Sequence, residues 1–456
     1  MKKIIIAVTL VTCFVISVPL LFAEEYRLLY RSPQVDRAFP AVGLDPKNGT
    51  FTTRFYVWSS TAPAPLVVHD LEGNKLREKD ISRWREQGTV SVPSKKLYVY
   101  TELTICPKPL EIEVCDYNPE GYMYDVEKST FLYHSDKFVR NYPDFTIDGE
   151  YMLGKFGWGY SREGGGEYSP STGTCLFQVD TGKEIWCREE VLSQEEAYLS
   201  EKGGVIAGEK ALYDFFSGKK IMKYPQFAKS GDKTLIPQRK NMAIIIRAMS
   251  PDGRYFVATE GRCDPERIRQ AGKESGCSLG FLRELKTYLG EWEKGDIKRI
   301  IRVFSENWDD VNLKPFYFLT DGRLVVYSPY PPRIQLMNVS GEVVAEISND
   351  KASNISQLAI SRLQPRIDYS NRVVVWPSAD EKDIWRVYGL DGRLVGEFAW
   401  KEPQGRESHV RRFAMINDRE YIFTVDIVTK KRKTGGTSEY ISEVYRGEFQ
   451  PGDRGR

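Results

Sequence analysis

Only a few stretches of this chain carry residue types that do chemistry. Gly276–Gly280, GCSLG, has the G-x-S-x-G spacing of a nucleophile elbow, where a strained strand-to-helix turn lifts a serine hydroxyl towards a histidine base. That chemistry needs His and Asp partners on an α/β framework. The chain has three histidines, His69, His134 and His409, and His69 falls in an apolar hairpin strand. No alternation of strands with helices is visible that would house a triad, so the spacing reads as a chance match. Three histidines also argue against a zinc site. Asp309 and Asp310 in SENWDDVNLK have the chemistry for acid–base catalysis or calcium binding, but a solvated loop accounts for them more simply. No catalytic residue, metal site or cofactor is expected.

Cysteine is the remaining reactive type. Of seven, Cys13 lies in the N-terminal apolar run, leaving Cys106, Cys115, Cys175, Cys187, Cys263 and Cys277. An even set in an exported protein suggests disulfides, and sequence proximity picks out 106–115, 175–187 and 263–277. The middle pair has further support. In LFQVDTGKEIWC, Leu176–Cys187, the turn centres on Thr181, midway between Cys175 and Cys187, so the two face each other across one hairpin. Cys187 is then structural rather than redox-active.

The elements that position these residues repeat. A short turn leading into an apolar β-rich strand recurs as SPDGRYFVAT from Ser250, LTDGRLVVYS from Leu319 and TIDGEYMLGK from Thr146, and more loosely elsewhere. Gly49, Lys95, Gly149, Gly204, Gly253, Gly322, Asn371 and Asp418 mark eight such turns at intervals of about 50 residues. A second hairpin follows many of them: VVHDLEGNKLRE from Val67, LYDFFSGKKIM from Leu212, IQLMNVSGEVVAEI from Ile334 and WRVYGLDGRLVGEF from Trp385. Tight turns of this kind take glycine at a positive φ. Four strands in about 50 residues is a propeller blade. The expectation is an all-β chain forming a single β-propeller of eight four-stranded blades, with seven as the alternative. The last unit lacks a fourth strand and the first strand, Tyr26–Arg31, lacks a blade. Pairing the two closes the ring and removes an exposed edge.

The DTGKEIW hairpin resembles the repeat of the PQQ-like propellers, and the SPDGRYFVAT units resemble those of TolB-type and WD40-like propellers. The resemblance implies propeller architecture. It does not extend to the quinoprotein cofactor, because this chain has no adjacent Cys-Cys. The tryptophan four residues after the turn glycine appears here only as Trp186, against Arg77, Met222, Ala345 and Gly396 at the sister positions. Trp186 is expected to pack between blades.

The first residues, MKKIIIAVTLVTCFVISVPLLFAEEY, place two lysines before an apolar run from Ile4 to Ala23, the layout of a secretory signal over 1–23. Leu21 stands where a small residue favours cleavage, so a retained anchor stays open, since about 20 apolar residues span a bilayer. Residues 24–456 form the propeller domain. Without Lys2 and Lys3, the 65 basic residues become 63 against 63 acidic ones, which excludes a nucleic-acid binder that works through basic excess. The cluster KKRK at Lys430–Lys433 reads as a solvated loop. Membrane contact is expected only through the N-terminal segment, if it is retained.

In a blade, the loops between second and third strands leave on the same face as the blade-to-blade connections. That face receives TICPKPLEIEVC, GWGYSREGGGEYSPSTG, the Cys263–Cys277 insert, SPYPPR, WPSADEKD and TKKRKTGGTSE, while the opposite turns stay short. Insertions gathered on one face of a rigid scaffold mark a binding surface. Trp158, Tyr160, Arg162 and Tyr168 surround a Gly triplet there, and Tyr327 and Tyr330 flank a Pro pair. Aromatics and arginine anchor protein interfaces. They equally stack on sugars or pack their own loops. The expected function is an exported, periplasmic or secreted, non-catalytic binding or scaffold protein with another envelope protein as partner. The alternative is a propeller enzyme acting on a carbohydrate or other small substrate.

Overall fold

A computed structural model describes residues 26–33, 38–57, 66–79, 84–91, 97–105, 116–125, 130–135, 139–156, 173–190, 192, 197–208, 211–224, 242–266, 282–293, 296–304, 315–329, 332–348, 366–367, 373–377, 384–400, 407–430 and 439–449. The described chain is all-β, as expected. It forms eight four-stranded antiparallel sheets, each a meander of consecutive strands, over residues 38–79, 84–135, 139–188, 198–223, 242–304, 316–348, 366–399 and 408–448. We number these sheets 1 to 8. Sheet 8 supplies only three strands from its own segment, and Arg27–Arg31 pairs antiparallel with Glu439–Glu448 as its fourth.

Among the described residues, inner strands are apolar on both sides where a sheet is covered on both faces. Val373–Pro377 shows why: Val374 and Trp376 pack against sheet 6, while Val373 and Val375 pack against sheet 8. In sheet 5, Ile244, Ile246, Phe256 and Tyr288 face sheet 4, and Ala248, Val257 and Leu289 face sheet 6. Such seams join sheets 3 and 4, 4 and 5, 5 and 6, 6 and 7, and 7 and 8. Sheet 8 packs on sheet 1 through Ala414, Ile422 and Val444 against Val42, Leu44 and Phe51. The first strands of sheets 1, 2 and 3, Ala38–Asp45, Trp84–Ser91 and Val139–Phe145, lie side by side.

Polar staples reinforce these seams. The Trp186 indole N–H donates to the Phe215 carbonyl at 2.8 Å, and Arg188 Nε donates to the Ser217 carbonyl at 2.8 Å, tying sheet 3 to the last turn of sheet 4. Arg302 reaches the Gly341 carbonyl (2.9 Å), Arg323 that of Leu390 (2.8 Å) and Arg446 that of Leu71 (3.2 Å).

The eight marker residues all fall between the first and second strands of the eight sheets. Gly49, Gly149, Gly204, Gly253 and Gly322 have positive φ. So do Gly73, Gly182, Gly218, Gly341 and Gly392 between third and fourth strands. Gly73 is required twice over: its φ is +89°, and a Cβ there would stand 2.7 Å from the Leu29 carbonyl oxygen.

One feature of the repeat has no obvious sequence warning. In every sheet the pairing of the outermost strand slips by one residue, leaving an extra residue in a β-bulge. The extra residues are Leu76, Leu132, Ile185, Ile221, Ile301, Val344 and Val395, with Leu29 on the N-terminal strand. All of these are aliphatic, and five sit three residues after the turn glycine; sheet 5 has a second slip, at Lys298. A bulge twists the strand and disrupts the template an edge offers to another chain.

Candidate functional site

Each meander has two ends. The turns between first and second and between third and fourth strands share one, the turn end. The segments between second and third strands and the connections to the next sheet share the other, the insert end. Neighbouring turns meet at the turn end: Ser200 Oγ donates to the Pro251 carbonyl at 2.8 Å, and Tyr151 donates to Glu201 at 2.9 Å.

The residues singled out from sequence divide accordingly. Trp158, Tyr160, Arg162 and Tyr168 belong to the segment between Tyr151–Phe156 and Gly173–Gln178, at the insert end of sheet 3, and lie outside the described residues. Tyr330 also lies outside them, as do Cys106, Cys115, Cys277, Asp309 and Asp310. Tyr327 is described and is 5% exposed, packed with Ile334 and Trp376 between sheets 6 and 7. Its ring meets Trp376 edge-on at 6.1 Å between centroids. GCSLG lies outside the described residues, between Tyr255–Cys263 and Leu282–Glu293, which are paired strands of one sheet.

Cys175 and Cys187 stand directly opposite each other and form a disulfide. Glu184 lies near the same sulfurs, but the bridge leaves no thiolate for a metal. Cys263, at the end of its strand, is also disulfide-bonded.

The histidines are placed differently. His69 is buried at the seam between sheets 1 and 8. His134 lies on the outermost strand of sheet 2, Thr130–Ser135. His409 opens a row that sequence inspection missed, in which His409, Asp426 and Ser442 are directly opposed across three neighbouring strands at the insert end of sheet 8. These are the residue types of a hydrolytic triad, in an order that does not support one. A triad needs histidine between serine and carboxylate, so that the imidazole takes the hydroxyl proton. Here the buried Ser442 hydroxyl donates to Asp426, Arg411 Nε donates to the other Asp426 oxygen at 2.9 Å, and His409 Nε2 stands 3.1 Å from Glu407. The row is a polar tie beside the Arg31–Glu443 pair. Strand register brings it together, since 17 and 16 residues separate its successive members.

Two further charged groups support the ends. At the insert end of sheet 3, buried Lys155 faces Asp144 at 3.4 Å, and Asp144 accepts the Ala197 backbone N–H at 3.0 Å, fixing the crossover into sheet 4. At the turn end of sheet 5, buried Glu291 is gripped by Arg254 Nε and Arg299 Nε, each at 2.7 Å, with Lys298 at 3.5 Å. Burial pushes the Glu291 pKa up, but the hydrogen bonds from Arg254 and Arg299 and the charges around it leave it below the ordinary value. Beside it, between sheets 4 and 5, a cleft of 330 Å³ is walled by Val205, Leu212, Ile221 and Trp292, with Asp252 and Arg254 also lining it.

No family model matches the chain, and no curated protein matches it. Solved structures similar to it include the Dos1 propeller, at 9% identity and TM-score 0.45 over 93% of this chain and 97% of that one. The beta-propeller domain of Myceliophteria thermophila Cps50 (Swd1) is similar at 10% identity and TM-score 0.37, over 79% and 99%. The dihydro-heme d1 dehydrogenase NirN is similar at 12% identity and TM-score 0.41, over 89% and 74%. At these identities nothing about activity, cofactor or partner passes from them to this chain.

Proposed function

We propose that the eight sheets are the blades of one closed β-propeller, with Arg27–Arg31 as its closing strand, and that the protein is an exported, non-catalytic binding or scaffold module of a bacterial cell envelope. The carrying observation is the placement of the connections: every second-to-third-strand segment and every crossover leaves at the insert end, while the turn end has short, hydrogen-bonded turns. A rigid ring that concentrates its variable segments on one end presents a recognition surface and needs no reacting group. Trp158, Tyr160, Arg162, Tyr168 and Tyr330 are the anchors of that surface. Tyr327 supports it from the core.

Mild cross-linking in the native envelope, purification of the tagged chain and mass spectrometry of what travels with it test this reading. The expected outcome is a stoichiometric protein partner that is lost when Trp158 and Tyr160 are changed to Ala. A partnerless protein, or a partner indifferent to that change, overturns the assignment and moves the weight to a carbohydrate or other small ligand.

A further inference from the structure

Large hydrophobic side chains on the described surface are not scattered. Eight are exposed, and six of these, Leu28, Leu76, Phe216, Ile221, Val343 and Val344, belong to outermost strands or the turns before them, at the turn end. Leu76, Ile221 and Val344 are the bulged residues of sheets 1, 4 and 6, and they are 54%, 44% and 53% exposed. Phe216, at 55%, is in the turn three positions before Lys219 and five before Ile221. The bulged Leu29, Ile185, Ile301 and Val395 pack on the clusters between sheets, whereas Leu76, Ile221 and Val344 keep large exposed areas, and apolar side chains exposed at one end mark a contact surface.

The chain itself indicates what covers that rim. Only Glu24 and Glu25 separate the Ile4–Ala23 apolar run from Tyr26, a reach of about 10 Å from Ala23 to Tyr26. The closing strand begins at the turn end: Arg27 pairs with Arg446 and donates to the Glu72 carbonyl in the last turn of sheet 1, while Arg31, at the other end, meets Glu443. The apolar segment is therefore joined to the ring on the same end as the exposed aliphatics. We propose that the turn end is a lipid-docking face: the rim of Leu28, Leu76, Phe216, Ile221, Val343 and Val344 rests on the headgroup boundary of a bilayer, beside the N-terminal segment, and the insert end points away from the membrane. This deepens the envelope reading above, on which it rests, and extends membrane contact beyond the N-terminal segment.

The test uses the full chain reconstituted in phosphatidylethanolamine–phosphatidylglycerol vesicles that contain a photoactivatable diazirine lipid. After illumination, labelled peptides are mapped by mass spectrometry. Labelling is expected on the peptides carrying Leu76, Phe216–Ile221 and Val343–Val344, with loss of that labelling when Leu76, Phe216, Ile221 and Val344 are all changed to Ser. Labelling confined to the N-terminal segment, or spread to insert-end peptides, overturns the proposal. Should the fourfold variant fail to fold, hydrogen exchange of the wild-type chain decides instead. Slower exchange of the turn-end peptides on adding vesicles supports lipid docking, and unchanged exchange overturns it. Partner capture reads the insert end and lipid labelling the turn end, so either reading fails without the other.

Discussion

His69 shows how much a single residue depends on its neighbours. Its ring stacks on Phe51 at 4.8 Å and 8°, and Tyr30 of the N-terminal strand lies 5.3 Å away across the seam. Nε2 is 2.9 Å from Thr53 Oγ1, and Nδ1 is buried without a hydrogen bond. Burial lowers the His69 pKa below 6.5; the Gly73 backbone and Asp70 pull against it and Lys75 adds to it. The unfolded chain therefore binds this proton more readily than the folded one. The stability contribution is fully present above about pH 6.5 and is lost as pH falls towards the folded value. A thermal midpoint that drops between pH 7.5 and 5.5, with the drop reduced in His69→Gln, is the expected result of a melting series. Glu291 titrates with the opposite shift origin and the same direction of loss. Its contribution is present above the ordinary value of 4.5 and disappears only at lower pH, so the acid arm of the same series has a second, separate step.

At Trp186 the argument concerns packing. The half-buried indole packs on the sheet 3–4 cluster and bonds the next sheet through Nε1. Trp186→Ala is expected to cost about 3 kcal/mol in denaturant unfolding, at the low end for a buried aromatic. The sequence singled out Trp186 as an inter-blade residue because it follows a turn glycine at fixed spacing. His69 gave no such signal: its burial under Tyr30 depends on a strand some forty residues earlier.

At the scale of the element, the hairpin of Gly173–Gln178 and Glu184–Arg188 is held by turn, pairing and disulfide together. The bridge joins residues 12 apart, and closing so short a loop stabilises by about 3 kcal/mol in the chain-entropy account. Replacing Cys175 and Cys187 by Ser is expected to lower the unfolding free energy in denaturant by that amount without changing strand content, read by circular dichroism. The outermost-strand bulges belong to this scale as well. Turn glycines and apolar strands were legible in the sequence because each depends on residues within about ten positions. The one-residue slip was not, although the aliphatic residue three after the glycine accompanies it in Leu76, Ile185, Ile221, Val344 and Val395. Backbone pairing has to be seen before that spacing acquires a meaning.

For the whole molecule, the N-terminal strand matters most. Arg27–Arg31 supplies the outer edge of sheet 8, Ser32 N–H donates to the Ser442 carbonyl at 2.9 Å, and Tyr26 donates to the Ala399 carbonyl of sheet 7 at 2.6 Å. Deleting residues 24–32 exposes Glu439–Glu448 as an edge and strips Leu29 and Tyr30 from the sheet 8–1 seam. The expected outcome is a lower thermal midpoint and concentration-dependent association in sedimentation, since an uncovered strand edge recruits other chains.

By itself, the sequence determined the all-β class, the four-stranded unit, the eight turn positions, the Cys175–Cys187 pairing and the use of the first strand to complete the last sheet. Most follow from local rules: an apolar strand after a turn, glycine at positive φ, and the opposition of residues equidistant from a turn; the last follows from counting strands, since the final unit is one short. Tertiary structure alone decided that Tyr327 is core, that His409, Asp426 and Ser442 form a polar tie rather than a triad, and that the exposed bulged aliphatics share an end with the start of the N-terminal strand. The physical reason is one of range. A strand's own residues set its apolar character, but which side chains meet across strands and sheets, and at which end, depends on register between segments well separated in the chain.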